Sequence, residues 1–448
     1  MSRGIDRVSS WKTSRRTFNS ALAGAGLVLA TGATRAFAQE ASPAAESGSG
    51  QYLFVADPAV STVYIYSIPD LTLTGQLDDV FFGVHNGALV LPDGRILFSD
   101  DNTKDVVAVT IDDAGVPSIS QRVAVNSGDR LVWSAVDPDL RYYAGASQIP
   151  DSTTQVLNLV DLEAFTNTEL SFEMLEEEEL HGWVSGDYVY VSLGGQIDSY
   201  LLSDLLAGNA EPASQVPVEL GSHGAVADPA HQQFLLVSNT GFEVVDIANG
   251  PAEYKGNIPW DVDGFTGGRN SRPRLHPDGE HIFGRLNPNP ATPEEWADVE
   301  VSSHIADIHD LGATRTAVSM GNMGFRFGIS DPYVLYAGHD GVTGAAYLVD
   351  ADAGSDTYGQ VVGTVPLELP TNAAQPGVDP AGTESYLTAL TPDGALGFVV
   401  HGGDGTISVI DTATQEVVST IEVPSPMTGA GYATVVDASA PLVDLFGR

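Results

Sequence analysis

Ala88-Leu89-Val90-Leu91-Pro92-Asp93-Gly94-Arg95-Ile96-Leu97-Phe98 reads as strand, tight turn, strand: two apolar runs flank Pro-Asp-Gly, where proline presets the turn and glycine supplies a left-handed residue. The same pattern returns in Ala225-Val226-Ala227-Asp228-Pro229 followed by Phe234-Leu235-Leu236-Val237. After such a pair comes a strand that closes on an aspartate, clearest in Val244-Val245-Asp246, Leu348-Val349-Asp350 and Val409-Ile410-Asp411. Weaker copies end at Asp70, Asp112, Asp161, Asp204 and Asp310. Eight copies at a basic spacing of about 40 to 50 residues imply a ring of small sheets, each unable to bury its faces alone. No amphipathic helix of useful length interrupts them.

Two gaps between landmarks are long, Asp246 to Asp310 and Asp350 to Asp411. They hold Pro/Gly-rich stretches at 255–273, 287–296 and 367–384, which read as insertions rather than missing repeats. Residues 431–437 form an inner strand without the rest of its blade, and residues 52–55, 63–67 and 71–77 form outer strands without an inner one. Joining them closes the ring and removes exposed sheet edges. The expected fold is therefore all-β: a single β-propeller of eight four-stranded blades, or seven if one weak copy is only a loop.

Thr406-Ile407-Ser408-Val409-Ile410-Asp411, followed by the strand at 417–421, resembles the YVTN/WD40-like propeller family over nearly the whole chain after the export segment. That resemblance implies blade geometry and leaves the chemistry open. Leu180-His181-Gly182-Trp183-Val184-Ser185-Gly186 and Ser222-His223-Gly224-Ala225-Val226-Ala227 are similar to the inner strands of periplasmic zinc metallochaperone propellers, which carry His-Gly pairs. The resemblance implies zinc handling. The chain departs from it in lacking a His-rich segment after the export signal and in carrying Trp183 where an acidic residue is expected.

Residues 1–38 combine Ser14-Arg15-Arg16-Thr17-Phe18, a short apolar run and Ala36-Phe37-Ala38, the order of a twin-arginine (Tat) export signal cleaved after Ala38. The apolar run falls short of the roughly 20 residues that span a bilayer, so no membrane insertion is expected after cleavage. Residues 39–50 are a linker too poor in apolar side chains to order, and residues 51–448 are the propeller. The expected location is periplasmic or extracellular. Cysteine is absent, which excludes disulfides, thiol nucleophiles and thiolate metal sites. The export segment holds six of the 19 basic and one of the 59 acidic residues, leaving 13 against 58, a net charge of −45. Such a chain repels nucleic acid and anionic lipid, and it attracts cations.

In a propeller the innermost strand of each blade begins on the face where the second strand ends. Alignment on the turns puts His85 and His223 at inner-strand starts, His181 with them by its His-Gly context, and Arg326 and Tyr432 in the same slot of two other blades. Second-strand ends on that face supply His339-Asp340, His401 with Asp404, and Asp100-Asp101. Imidazole and carboxylate without thiol suit zinc or another borderline divalent ion, so His85, His181, His223, His339 and His401 are the candidate metal ligands. The alternative is that they are channel-lining groups bound to water and backbone. His304 and His309, five apart in a strand, face opposite ways and read as surface or packing residues. Glu176, Glu177, Glu178 and Glu179 read as a solvated loop or a cation-gathering collar. Arg269, Arg272 and Arg274 read as pairing with local acids, the alternative being a carboxylate ligand.

G-x-S-x-G, a phosphate-binding glycine loop and H-E-x-x-H are all absent. Three function classes remain, led by a non-enzymatic binding protein for a divalent metal or small solute. The others are a scaffold that binds a protein partner at the histidine-bearing face, and a propeller enzyme of the lactonase or quinoprotein-dehydrogenase type.

Overall fold

The computed structural model describes residues 50–437 except 83–86, 101–103, 126–127, 129, 150–151, 176–179, 220–223, 229, 231, 267–268, 271–272, 288–292, 325, 379–383 and 429–430. The chain forms eight antiparallel sheets in sequence order, and each sheet contributes one blade of a propeller. Blade 1 is Gln51–Asp57, Thr62–Ser67 and Leu73–Asp78, completed by Tyr432–Asp437 as its inner strand. Gln51–Asp57 pairs with Thr62–Ser67 on one edge and with Tyr432–Asp437 on the other, so the two ends of the ring are hydrogen-bonded together. The expected split blade and the count of eight both hold.

The inner and second strands are Leu89–Val90 and Ile96–Asp100 in blade 2, Arg130–Val136 and Tyr142–Gln148 in blade 3, and His181–Ser185 and Tyr188–Ser192 in blade 4. They are Ala225–Asp228 and Gln233–Val237 in blade 5, and Tyr386–Leu390 and Leu396–His401 in blade 8. Two inner strands come in two pieces. Blade 6 has Arg269–Asn270 and Arg274–Leu275 against His281–Asn287, and blade 7 has Asn322–Met323 and Gly328–Ile329 against Tyr333–His339.

Turn chemistry explains the repeat. In the three Pro-Asp-Gly turns the glycine is left-handed, with φ of 82° at Gly94, 74° at Gly279 and 69° at Gly394. Each donates its N–H three residues back, to the carbonyls of Leu91, His276 and Thr391. Any side chain there would be strained. The landmark aspartates end third strands because their carboxylates cap the following turn. Asp112 accepts the N–H groups of Ala114 and Val116, Asp161 those of Glu163 and Ala164, Asp246 that of Ala248, and Asp411 that of Thr414. Three copies differ. In blade 1 the third strand ends at Ser67, with Asp70 in the turn beyond, in blade 6 it ends at Asp307, with Asp310 in the turn beyond, and Asp204 lies in a five-residue helix, Leu202–Leu206.

Inner, second and third strands are covered on both faces by neighbouring blades, so they carry continuous apolar runs rather than alternation. Leu53, Phe54 and Val55 are all fully buried. The outer strand Pro117–Ala124 alternates buried or half-buried with exposed residues, having solvent on one side. The aspartate landmarks and Pro-Asp-Gly turns occupy one face of the ring, while the insertions between second and third strands and between blades open on the other.

Candidate functional site

The register fixes where three of the histidines emerge. His181 is the first residue of the blade 4 inner strand and pairs with Ser192, the last of its second strand. His339 ends the second strand of blade 7 opposite Asn322, and His401 ends that of blade 8 opposite Tyr386. All three therefore belong to the face on which inner strands begin. His85, His223, Asp101 and Glu176 to Glu179 lie outside the described residues, as does the side chain of Asp100.

His339 and His401 both contact one aromatic ring. Tyr386 is buried, with its centroid 5.9 Å from the His339 ring and 5.2 Å from the His401 ring, both contacts close to perpendicular. Its hydroxyl donates to the Glu368 carbonyl at 2.7 Å, in space kept open by Gly344, where a Cβ would sit 2.1 Å from that oxygen. The edge of Trp296 meets His339 on another side, centroids 5.9 Å apart. Asn322 Nδ2 stands 3.4 Å from His339 Nε2, and His401 Nε2 is 2.8 Å from Ser408 Oγ. Burial pushes the pKa of both imidazoles below the usual histidine value, with the Asp340 and Asp404 carboxylates opposing weakly. Both rings are thus neutral at physiological pH.

His181 has a different environment. Its ring stacks on Trp133 at 4.8 Å and 13° between planes, and Trp183 follows two residues on. Trp183 itself stacks on Phe234 at 4.7 Å and is 1% exposed. An acidic side chain at that position would be buried against two aromatics, which accounts for the departure from the metallochaperone pattern. Among the described residues no three His, Asp or Glu side chains converge on a point that could hold a metal. The structure brings His339 and His401 together around Tyr386 and leaves His181 in its own aromatic stack.

Of the two readings, His304 is a packing residue: its Nε2 meets the Pro259 carbonyl at 3.2 Å and its ring meets the Trp260 ring at 5.1 Å. His309 is in a turn against Glu280. The expected pairing of the arginine cluster with acids fails at Arg274. Its Nη1 donates to the Phe327 carbonyl at 3.2 Å, and no carboxylate among the described residues pairs with it. Arg272 and the Arg269 side chain lie outside the described residues. Tyr386 escaped notice because an aromatic starting an inner strand reads as packing. The signal was its slot, equivalent to that of His181 when the blades are aligned on Thr391-Pro392-Asp393-Gly394.

No family model and no curated protein matches the chain, so the YVTN/WD40-like resemblance rests on the strand pattern alone. Among solved structures it is similar to apo AztD from Citrobacter koseri, with a TM-score of 0.59 and 13% identity, covering 89% of this chain and 98% of that one. A second AztD structure from the same organism gives 0.59 at 12% identity, covering 86% and 97%. The dihydro-heme d1 dehydrogenase NirN in complex with DHE gives 0.56 at 14% identity, covering 90% and 78%. At these identities the likeness extends to the propeller fold.

Proposed function

We propose that this chain is an exported, non-enzymatic binding propeller that takes a divalent metal, zinc first, through histidines on the face where its inner strands begin. The observation that carries the reading is that His339 and His401, from adjacent blades, stand on that face as neutral imidazoles that both contact the Tyr386 ring. Neutral imidazole is the ligating form, and zinc accepts imidazole nitrogen with carboxylate where no thiolate is offered. His181 shares the face, and the sequence assigns His85 and His223 to it as well. The likeness to AztD and the twin-arginine signal agree with a metal-handling protein outside the cytoplasm.

Metal analysis of the purified mature protein, followed by calorimetric titration of metal-stripped protein with zinc, tests the reading. Saturable zinc binding, lost in a His85→Asn/His181→Asn/His223→Asn variant or in His339→Gln/His401→Gln, is the expected result. Absence of heat with zinc, or binding unchanged in both variants, would end it and favour the scaffold.

A further inference from the structure

The inner strand of blade 7 is broken between Met323 and Gly328, and three arginines meet the break. Gly324 has no room for a side chain, since a Cβ there would sit 1.9 Å from the Tyr386 carbonyl oxygen of blade 8. The turned-away carbonyls find guanidinium donors instead of a strand. Arg285 Nη1 donates to the Met323 and Gly324 oxygens at 2.6 and 2.8 Å, and Arg274 Nη1 donates to Phe327.

Arg326 lies inside the break. Its guanidinium carbon sits 4.2 Å over the ring of Tyr432, the first residue of the closing strand, and its Nη1 donates to the Tyr432 hydroxyl at 3.0 Å. Arg274 Nη1 reaches the carbonyl of Phe327, the residue next to Arg326, so guanidinium groups from blades 6 and 7 meet at the broken strand. Phe82 closes the Tyr432 ring edge-on at 4.9 Å.

Carbonyl capping accounts for the hydrogen bonds but not for the charge. Among the described residues the buried Arg274 Nε meets no hydrogen-bond partner and no carboxylate compensates the group, while burial depresses its pKa. A buried charge without a counter-charge is strongly unfavourable. In a chain with 59 acidic residues, local acids would be easy to supply. Arg274 is half-buried as a residue, while its Nε is enclosed.

We propose that Arg274, Arg326 and Tyr432 form an anion site on the inner wall of the propeller for a small organic carboxylate. A guanidinium presents paired donors that match a carboxylate. The Tyr432 hydroxyl, accepting from Arg326, keeps its own proton to donate. The Tyr432 ring favours an acid with an apolar body over a free inorganic oxyanion. The site is independent of the metal reading and involves none of its histidines.

Benzoate, acetate, inorganic phosphate and chloride, titrated separately into mature protein shown metal-free by elemental analysis, provide the test. Saturable benzoate binding is expected, at least tenfold weaker in Arg274→Gln and partly retained in Arg274→Lys. Tyr432→Phe keeps the ring and should weaken binding several-fold, which serves as the readout if Arg274→Gln fails to fold. Equal response to chloride, phosphate binding in preference to both carboxylates, no benzoate binding, or benzoate affinity unchanged in the folded variants would each overturn the proposal. Zinc affinity should not move in any of them.

Discussion

The inner strands of blades 4 and 7 begin on the same face and solve opposite problems. In blade 4, His181–Ser185 runs unbroken, and its polar and aromatic side chains are spent on packing: His181 against Trp133, Trp183 against Phe234. In blade 7 the strand breaks around Gly324, and the freed carbonyls draw in guanidinium groups that cannot shed their charge. An imidazole can be buried by becoming neutral; an arginine cannot. Regular repeats therefore hide histidines at little cost, whereas the irregular one leaves charge facing inward, and that is where a ligand has something to bind.

Ring closure sets the largest effect. Removing residues 431–448 deletes the strand that pairs Gln51–Asp57 and takes Tyr432 with it. Loss of a whole strand from a protein with ~5–15 kcal/mol of net stability should abolish the cooperative thermal transition. A truncated protein that melts cooperatively at the wild-type temperature would contradict the closure.

The contrast between the two strands can be broken with one methyl group each. Gly324→Ala drives a Cβ into the Tyr386 backbone carbonyl, which has nowhere to move, and should cost about 4 kcal/mol or more. Gly182→Ala in blade 4 meets the Leu157 side-chain tip at 2.3 Å, a group that can change rotamer, and should cost about 1–3 kcal/mol. Denaturant unfolding of both variants measures the difference. Equal costs would mean that the broken strand is no more constrained than the regular one.

How much of this was legible in the sequence follows from which forces are local. Six of the eight aspartate landmarks were readable because an Asp carboxylate captures N–H groups two to four residues on, and the Pro-Asp-Gly turns because only glycine sits easily at their φ. The slots of His339 and His401 followed from counting strands, and that of His181 from its His-Gly context. Their depth did not: burial depends on Trp133, Trp296 and Tyr386, and Trp133 and Trp296 come from other blades than the histidines they pack against. The break at Gly324 was invisible because a glycine within an apolar stretch reads equally as strand. Arg274 was assigned to an ion pair because nothing in the sequence places the Phe327 carbonyl beside it.

Neutral burial has a pH signature at His304, which is not among the candidate ligands. Burial lowers its pKa to about 4, Arg315 pushing in the same direction and the hydrogen bond with the Pro259 carbonyl opposing. The unfolded chain takes up its proton near pH 6.5, so the contribution is fully present above that pH and lost as pH falls from about 6.5 to about 4. The loss is about 3 kcal/mol. Stability of wild type and His304→Phe, compared across this window, should show a shallower acid slope in the variant; parallel slopes would mean that His304 already carries a proton in the fold.

The smallest effect sharpens what Tyr386 does between the two histidines. Tyr386→Phe keeps the ring that touches His339 and His401 and removes only the hydroxyl, leaving the Glu368 carbonyl without that donor. A single neutral hydrogen bond is worth ~1 kcal/mol, so the midpoint of denaturation should fall modestly while the slope stays fixed. The carbonyl starts the loop at 368–385 that links blade 7 to blade 8, and this bond tethers the loop to the inner strand it delivers. If the hydroxyl serves only as that tether, zinc affinity should remain within about twofold of wild type, since each twofold change is only ~0.4 kcal/mol. A tenfold loss of zinc affinity with intact stability would instead make the phenol part of the binding site and tie the two histidines to one ligand.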